Sequence, residues 1–498
     1  MSGTYYEKIA RINLTTGEIK VEQLDPELTH EFIGGRGLGT KILYGEGVAT
    51  ADPLSSENKL LCVTGPLTGA VAPSSGRYTL VTKSPVTGKI AASNSGGIWG
   101  AKLKYAGWDA VIIEGEAREW TYISIEDSSI RLHDACEYIG SMTTELDEML
   151  KAKHGADSSV LSIGPAGDNK SLLAAIMNDK IRAAGRGGIG AVMGAKKLKA
   201  IVVRTSRPHL DIIADPNALK SSTRRALNLI KKTNTSEIGL HSLDANAVDR
   251  IINCVGSLPA RGWYSSVPEQ DKQQLSMPGG CYRCPIACNR AGKTDHKPQQ
   301  QGSNNRNIFD QCSMLCNEYG LDTIGVHRTI AAAVELYQRG AIKETECTGI
   351  PLEWNTLVEW AKRIGNPESE LDRLMSSGAE HLCQHYGMPE IAREKKTLST
   401  QKGLSAKKAG SSQRSNYTAE DEKAFRDLTA VIDSLGQCLF PSSSLGAQEY
   451  ADLLNATVGT TRTAAQVLEL GDRINSIEHM FNEMSCVCIN SLGASPDI

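Results

Sequence analysis

The residues best suited to chemistry in this sequence are thiols. Cys281, Cys284 and Cys288 stand in the pattern C-x2-C-x3-C, with Pro285 directly after the second. Thiolates this close in sequence can converge on one metal centre with little loop closure to organise. Three ligands are one short of the four that an iron–sulfur cube or a tetrahedral zinc requires. Cys438, far downstream in Asp433-Ser434-Leu435-Gly436-Gln437-Cys438, is the strongest candidate for the fourth. A centre built this way would clamp the middle of the chain to its C-terminal part. Spacing alone leaves three accounts open: a cluster, a zinc knuckle, or buried thiols with no metal. Cys486 and Cys488 form a C-x-C pair near the end, with no further ligand nearby, and read as incidental thiols.

Length and composition set the frame for that site. A chain of 498 residues is too long for one ordinary core and implies two or three domains. A hydrophobic fraction of 40% and a charged fraction of 22% are globular values. The formal net charge of −3 argues against a nucleic-acid or membrane-surface role. No apolar run is long enough to span a bilayer, and the first residues lack the apolar core of a signal peptide, so the expected location is the cytoplasm. Thirteen cysteines on a chain this long fit metal ligands in a reducing compartment better than a disulfide framework.

The elements that must position the thiols fall into two textures. Residues 1–208 are β-rich. Ile9–Leu14 and Glu18–Leu24 flank the turn signal Thr15-Thr16-Gly17 and predict a hairpin. Further strands are expected at Lys59–Val63, Arg77–Thr82, Asp109–Glu114, Thr121–Ile125, Val160–Ile163 and Leu198–Arg204. Between them lie glycine-rich loops: Gly34–Gly39, Gly65–Gly69, Ser74–Arg77, Asn94–Gly97 and Arg182–Gly188. Glycine lets backbone N–H groups approach a ligand, and a neighbouring Arg supplies a forked donor, so the set favours an anionic cofactor held by backbone. After Pro208 the pattern is helical. Asp215-Pro216 opens a helix to about Lys232, and Trp354, Leu357, Val358, Ala361 and Ile364 form one apolar stripe. A helix is expected over Pro367–Tyr386 and another over Arg328–Arg339, with Asp322–His327 preceding it. Residues 393–417 are rich in Lys, Ser, Gln and Gly and read as a linker or exposed loop. Helices resume at Ala419–Ser434, Ala447–Asn455 and Thr463–Asn482. The expected fold class is α+β. It comprises a β-rich cofactor-binding domain (1–208), a helical domain with the cysteine motif (209–392), a linker (393–418) and a short helical C-terminal domain (419–498).

Several of these segments together resemble the aldehyde:ferredoxin oxidoreductases, the tungsten or molybdenum bis-pterin family. They are Gly65-Pro66-Leu67-Thr68-Gly69, Gly76-Arg77-Tyr78, Thr82-Lys83-Ser84-Pro85, Asn94-Ser95-Gly96-Gly97, Lys104–Asp109, Gly164-Pro165-Ala166-Gly167, Met177-Asn178-Asp179, Arg182–Gly190, the cysteine cluster, Asp322-Thr323-Ile324-Gly325 and Asp433–Cys438. The similarity is dense over residues 5–205 and thins to islands beyond. It implies a saddle-like β base on which two pterins chelate one tungsten. It also implies a [4Fe-4S] cluster on Cys281, Cys284, Cys288 and Cys438. By the same resemblance Arg77 lies between cluster and pterin, and Asn94 and Ala183 give carbonyl oxygens to a magnesium bridging the pterin phosphates. Ser95, Gly96, Arg182, Gly185, Arg186, Gly187 and Gly188 would line the pterin phosphates. Asp322 with Gly325, and Asp433 with Gly436 and Gln437, would each hold one pterin. The implied activity is oxidation of an aldehyde to a carboxylic acid, with electrons leaving through the cluster to a ferredoxin-like carrier.

The sequence also departs from that family. The stretch after Cys288 is short, the linker 393–417 stands where the family has a longer segment, and the C-terminal segment is cut back. These pieces ordinarily wall the substrate channel and supply its acid/base groups. His327 and Glu318 are the candidates to replace them, each with a plainer account as a surface or pterin-adjacent side chain. Two other readings stand beside aldehyde oxidation: a relative with a reductive substrate, such as a subunit reducing aromatic thioesters, and an internally deleted, inactive member. The expected partners are a small aldehyde and an electron carrier. A homodimer and a separate electron-transfer subunit both fit.

Overall fold

The structure is a computed structural model that describes residues 3–235, 280–286, 304–392 and 419–491. Among the described residues twelve strands form two six-stranded sheets. The first holds β1 (Lys8–Asn13), β2 (Ile19–Gln23), β3 (Leu60–Thr64), β4 (Tyr78–Lys83), β5 (Ile90–Ser95) and β6 (Ala110–Glu114) in the order β2-β1-β6-β3-β4-β5. The second holds β7 (Thr121–Glu126), β8 (Ser129–Asp134), β9 (Ser159–Ser162), β10 (Ile176–Asn178), β11 (Arg182–Ala184) and β12 (Leu198–Arg204) in the order β11-β10-β9-β12-β7-β8. β1 with β6 and β7 with β12 are parallel; the other pairings are antiparallel.

Alternation along each strand explains the layering. Leu60 and Cys62 of β3, with Val111 and Ile113 of β6, share one core with Leu161, Ile201 and Val203 of the second sheet. The intervening Leu61, Val63 and Ile112 face the opposite way, onto Leu38, Ile42 and Leu43 of the helix Gly35–Gly45. On the outer face of the second sheet, Tyr122, Val160 and Val202 pack with Leu146 and Leu150 of the helix Thr143–His154. β5 and β11, edge strands of the two sheets, touch one another. That contact brings the two sequence-distant glycine loops into one neighbourhood.

All eight strands expected from sequence are present within a residue or two, and the first hairpin turns at Thr15–Gly17. β5, β10 and β11 have no apolar alternation strong enough to announce them; β8 does alternate, with Ile130 and Leu132 between polar residues, and is an addition to the expected set. The glycine stretch 34–39 is a correction: it is the start of a helix rather than a ligand loop. Its glycines serve close packing. A Cβ on Gly35 would lie 2.3 Å from the Asp433 carbonyl oxygen, and one on Gly39 would lie 2.6 Å from Val81. A second correction concerns Pro367–Tyr386, which forms two helices, Glu370–Ser376 and Ala379–His385, broken at Gly378 with φ +91°. A third moves a helix start: the helix expected from Arg328 begins at Thr323, because the Asp322 side chain caps it by accepting from Ile324 N–H at 3.2 Å. The expected linker 393–418 lies outside the described residues. Among the described residues no helix is long and apolar enough to cross a membrane.

The helix Ala464–Ser491 is tied back to the β domain through Arg36. Its guanidinium grips Glu478 with Nε and Nη2, both at 2.6 Å, and reaches Asp433 at 3.4 Å. All three side chains are largely buried. Removing one member of a buried ion pair strands the other charge. Arg36→Met is therefore expected to lower the unfolding free energy by about 3–5 kcal/mol. Denaturant unfolding checks this, and a loss under about 0.5 kcal/mol would show the pair to be incidental.

Candidate metal and cofactor site

Arg77 is the residue around which the candidate site assembles. It stands between the loop Ser74–Gly76 and the start of β4 at Tyr78. Its backbone N–H donates to Gly436 O at 3.2 Å, and its carbonyl accepts from Thr68 Oγ1 at 2.8 Å. Nη1 donates to Asn94 Oδ1 at 2.8 Å, and Nη2 lies 3.2 Å from Cys438 Sγ. One side chain thus spans β5 and the C-terminal cysteine.

Ser74 brings the two cysteine segments together. Its N–H donates to Arg283 O (2.9 Å), and its carbonyl accepts from Cys438 N–H (3.1 Å). Its hydroxyl donates to Cys284 Sγ at 3.3 Å. On the other side of Arg77, Tyr282 N–H donates to Gly97 O at 3.0 Å. A Cβ added to Gly96 would lie 2.6 Å from Cys281 Sγ and 3.5 Å from Arg77 Nε. Cys438 therefore meets Arg77 directly, Cys281 lies across Gly96 from it and Cys284 across Ser74, although the two cysteine segments are remote in sequence. Cys288, the other expected ligand, lies outside the described residues. Cys438 sits just beyond Gly436, whose φ of +80° turns the chain out of the helix Ala419–Leu435. A Cβ on Gly436 would meet Thr68 Oγ1 at 2.1 Å, so glycine is required there twice over.

The donor set fits a sulfur-bound centre spread around Arg77. Among the described residues no three His, Cys, Asp or Glu side chains converge on a point as a single metal ion would demand. A second observation points to a ligand: Asn94 Nδ2 is buried without a hydrogen-bond partner in the protein. An orphaned donor beside a guanidinium is costly unless an acceptor arrives.

The other expected cofactor residues divide into two groups. Asp322, Gly185 and Arg186 come together. A Cβ on Gly185 would stand 3.5 Å from Asp322 Oδ1, and Arg186 Nε is 3.9 Å from Asp322 Oδ2. Ala183 lies on β11 next to β5, which carries Asn94 and Ser95, and Arg182 opens the same strand. Gly187 and Gly188 both have positive φ and pack against Ala91 and Pro85. Asp433 joins the Arg77 side. Burial pushes its carboxyl up, against the pull of Arg36 and then Arg77. Burial likewise raises Asp322, against Arg186. In the second group, side chains are spent inside the protein. Ser95 Oγ donates to Asn178 Oδ1 (2.7 Å), and Gln437 Nε2 donates to Pro73 O (3.1 Å). Gly325 packs against Leu173 on the helix that Asp322 caps.

Of the two candidate proton-transfer residues, Glu318 is engaged at a helix start. Its Oε1 accepts from Thr144 Oγ1 at 2.6 Å and its Oε2 from Thr144 N–H at 3.4 Å, at the beginning of Thr143–His154. His327 lies half-buried in the helix Thr323–Gln338. Sequence reasoning did not single out Ser74, although its motif was in view, nor Asn178. Asn178 also donates to Gly96 O at 2.9 Å, fixing the glycine under Cys281. A cleft lined by Tyr5, His30, Leu454 and Arg462 contains none of these residues.

A family model for the N-terminal domain of aldehyde ferredoxin oxidoreductase matches residues 9–205, and one for domains 2 and 3 matches 221–402 and 402–488. The chain belongs to the aldehyde ferredoxin oxidoreductase family. It is 37% identical to a tungsten-containing aldehyde ferredoxin oxidoreductase of Pyrococcus furiosus, over 95% of this chain and 88% of the relative. The corresponding protein of Thermococcus kodakarensis is 36% identical over the same shares. A WOR-like subunit of an aliphatic sulfonate oxidoreductase from P. furiosus is 31% identical over 72% of this chain and 64% of that protein. Among solved structures, the active-site complex BamBC of benzoyl coenzyme A reductase superposes with a TM-score of 0.82 at 21% identity, covering 97% of this chain and 90% of that one. The alignment to the first relative runs over 535 residues, so family positions without a counterpart in these 498 exist. Membership makes the protein an oxidoreductase of the tungsten, molybdopterin and iron–sulfur type.

The Gly96 contact gives a direct check on the thiol ring. In Gly96→Ala the new methyl would overlap Cys281 Sγ, which must move with its segment. We expect the variant to keep its far-ultraviolet dichroism and to lose most of its iron. Unchanged iron would place Cys281 outside the ligand set.

Proposed function

We propose that the protein oxidises aldehydes to carboxylic acids at a tungsten or molybdenum bis-pterin centre, with electrons leaving through a [4Fe-4S] cluster to a ferredoxin-like carrier. One observation carries the reading: two cysteine segments remote in sequence meet at Arg77, in a chain 37% identical to a tungsten-containing aldehyde ferredoxin oxidoreductase. Cys281, Cys284 and Cys438, with Cys288, would hold the cluster. Arg77 would stand between cluster and pterin, donating to the Cys438 sulfur. Asn94 and Ala183 would offer carbonyl oxygens to magnesium, and Asp322 and Asp433 would accept from pterin ring N–H groups. The tungsten centre, when bound, supplies a Lewis acid and a two-electron acceptor. Balanced, an aldehyde and one water give a carboxylic acid, two protons and two electrons.

A reductive substrate is the second reading, and the superposition on a benzoyl coenzyme A reductase complex favours it. Elemental analysis of protein purified without oxygen is the first test. Tungsten or molybdenum with about four irons per chain supports a metallopterin enzyme, and zinc alone refutes it. Aldehyde-dependent viologen reduction then separates the two readings, because activity only with an added partner subunit and a thioester supports the second. Cys438→Ser is expected to lose most of the iron and all electron transfer while the β domain stays folded.

A further inference from the structure

Electrons that arrive at the thiols near Arg77 have to cross to another molecule, and the surface beside those thiols decides which molecule can come close. A docking face for the carrier rests on the reading that a cluster on these cysteines passes electrons outward, and deepens it by giving the partner a place and a chemistry.

The loop Gly69–Ser74 has the cysteine segment on one side and the helix Pro216–Thr235 on the other. On the cysteine side Tyr282 Oη donates to Gly69 O at 3.0 Å, Ser74 N–H to Arg283 O at 2.9 Å, and Ser74 Oγ to Cys284 Sγ at 3.3 Å. On the helix side Thr223 Oγ1 donates to Val71 O at 2.6 Å. Leu219, Ala226 and Ile230 of this helix are buried in the same core that Tyr282 and Cys284 pack against. Cys281 and Cys284 are partly exposed, and Arg283 between them is exposed. The thiol segment thus reaches the surface next to this loop and helix.

The helix is one-sided in charge. It carries five basic residues and no acidic one, in a chain whose net charge is −3. Arg225, on one flank, pairs with Asp452 at 2.7 Å. Lys220, Arg224 and Leu227, spaced by four and three residues, share the other flank, on the side where Thr223 meets Val71. Lys220 and Arg224 are exposed and form no ion pair among the described residues. Arg283 likewise meets no carboxylate among them; its Nε donates to Tyr282 Oη at 3.1 Å and its guanidinium lies over that ring. Val71 and Leu227 are 41% and 39% exposed, high for large apolar side chains. Electron-transfer encounters bury little surface, so charge orients the partner and a few apolar contacts seat it. Three unanswered cations beside two apolar side chains match an acidic partner and repel a basic one.

We propose that Val71, Lys220, Arg224, Leu227 and Arg283 form the docking face for a small acidic electron-carrier protein, which takes one electron per encounter from the cluster on the neighbouring cysteines. Each encounter oxidises the cluster by one electron and reduces one carrier. Two encounters account for the two electrons of each aldehyde.

The intact holoenzyme and an acidic two-cluster [4Fe-4S] ferredoxin are the pair to test. A carbodiimide, which joins an amine to a carboxylate with no spacer, is expected to link Lys220 to the ferredoxin, as located by mass spectrometry. Links to other lysines alone, or from Lys220 only to a second copy of this chain, overturn the proposal. Affinity is the second readout. The double variant Lys220→Glu, Arg224→Glu is expected to bind the ferredoxin about 10²-fold more weakly at low ionic strength, with a flatter salt dependence, and to reduce benzyl viologen, a small cationic dye, at the parental rate. Equal affinity in variant and parent overturns the docking face, and so does a viologen rate that falls in step with the ferredoxin rate. Should the double variant fail to fold, Leu227→Ser replaces it, with about a tenfold loss of affinity expected; an unchanged affinity is again the overturning result. A parent that reduces no viologen with any aldehyde refutes the aldehyde-oxidising reading instead, and the cross-link and the affinity stand apart from that outcome.

Discussion

Arg77 is held through its backbone and through both terminal nitrogens of its guanidinium before any ligand is considered. Its backbone is pinned between Thr68 and Gly436, and its guanidinium between Asn94 and the Cys438 sulfur. The partners come from three parts of the chain, around residues 68, 94 and 436–438, so the position of one planar cation ties those parts together. A guanidinium is suited to this because its forked donors are rigid and permanently charged. It also gives a reason for the glycines nearby. Gly96 and Gly436 lie where any side chain would strike Cys281 or Thr68, and Gly65 lies where it would strike the backbone at Leu435.

The β platform and the helical part are joined by backbone contact as much as by side chains. Leu67 N–H donates to Leu435 O, Cys438 N–H to Ser74 O, and Gly35 abuts the Asp433 carbonyl. Hydrogen bonds of this sort are indifferent to side-chain identity, so they leave little trace in composition. The Arg36 pairing with Glu478 and Asp433 adds a charged tie between the final long helix and the same junction. Asp433 is therefore shared between holding the fold and facing the site, and its burial, which favours the neutral acid, reflects both duties.

Much of the first half was legible in the sequence. Strands with strong alternation, such as Leu60–Thr64 and Leu198–Arg204, follow from local periodicity alone. Edge strands such as Arg182–Ala184 do not, because a run of only three residues carries no period and exists by pairing with β10. The run Gly34–Gly39 misled because glycine spacing is the same for a loop that cradles a ligand and a helix pressed against a sheet. Only the facing surface decides. At the site, the cysteines and Arg77 could be named in advance because their chemistry is rare. Ser74 and Asn178 could not, since a hydroxyl or an amide becomes important only through what lies across from it. Ser95 and Gln437 showed the converse: residues inside a motif whose side chains turn inward to Asn178 and Pro73.

The thiol ring draws on residues 281 and 284 from the middle of the chain and 438 from near its end, with Arg77 from the beginning. A ribosome delivers these in order. The contacts of Cys438 with Arg77 and with Ser74 can therefore form only after synthesis has passed residue 438, so the junction between the β platform and the final helices is the last part of this neighbourhood to be assembled.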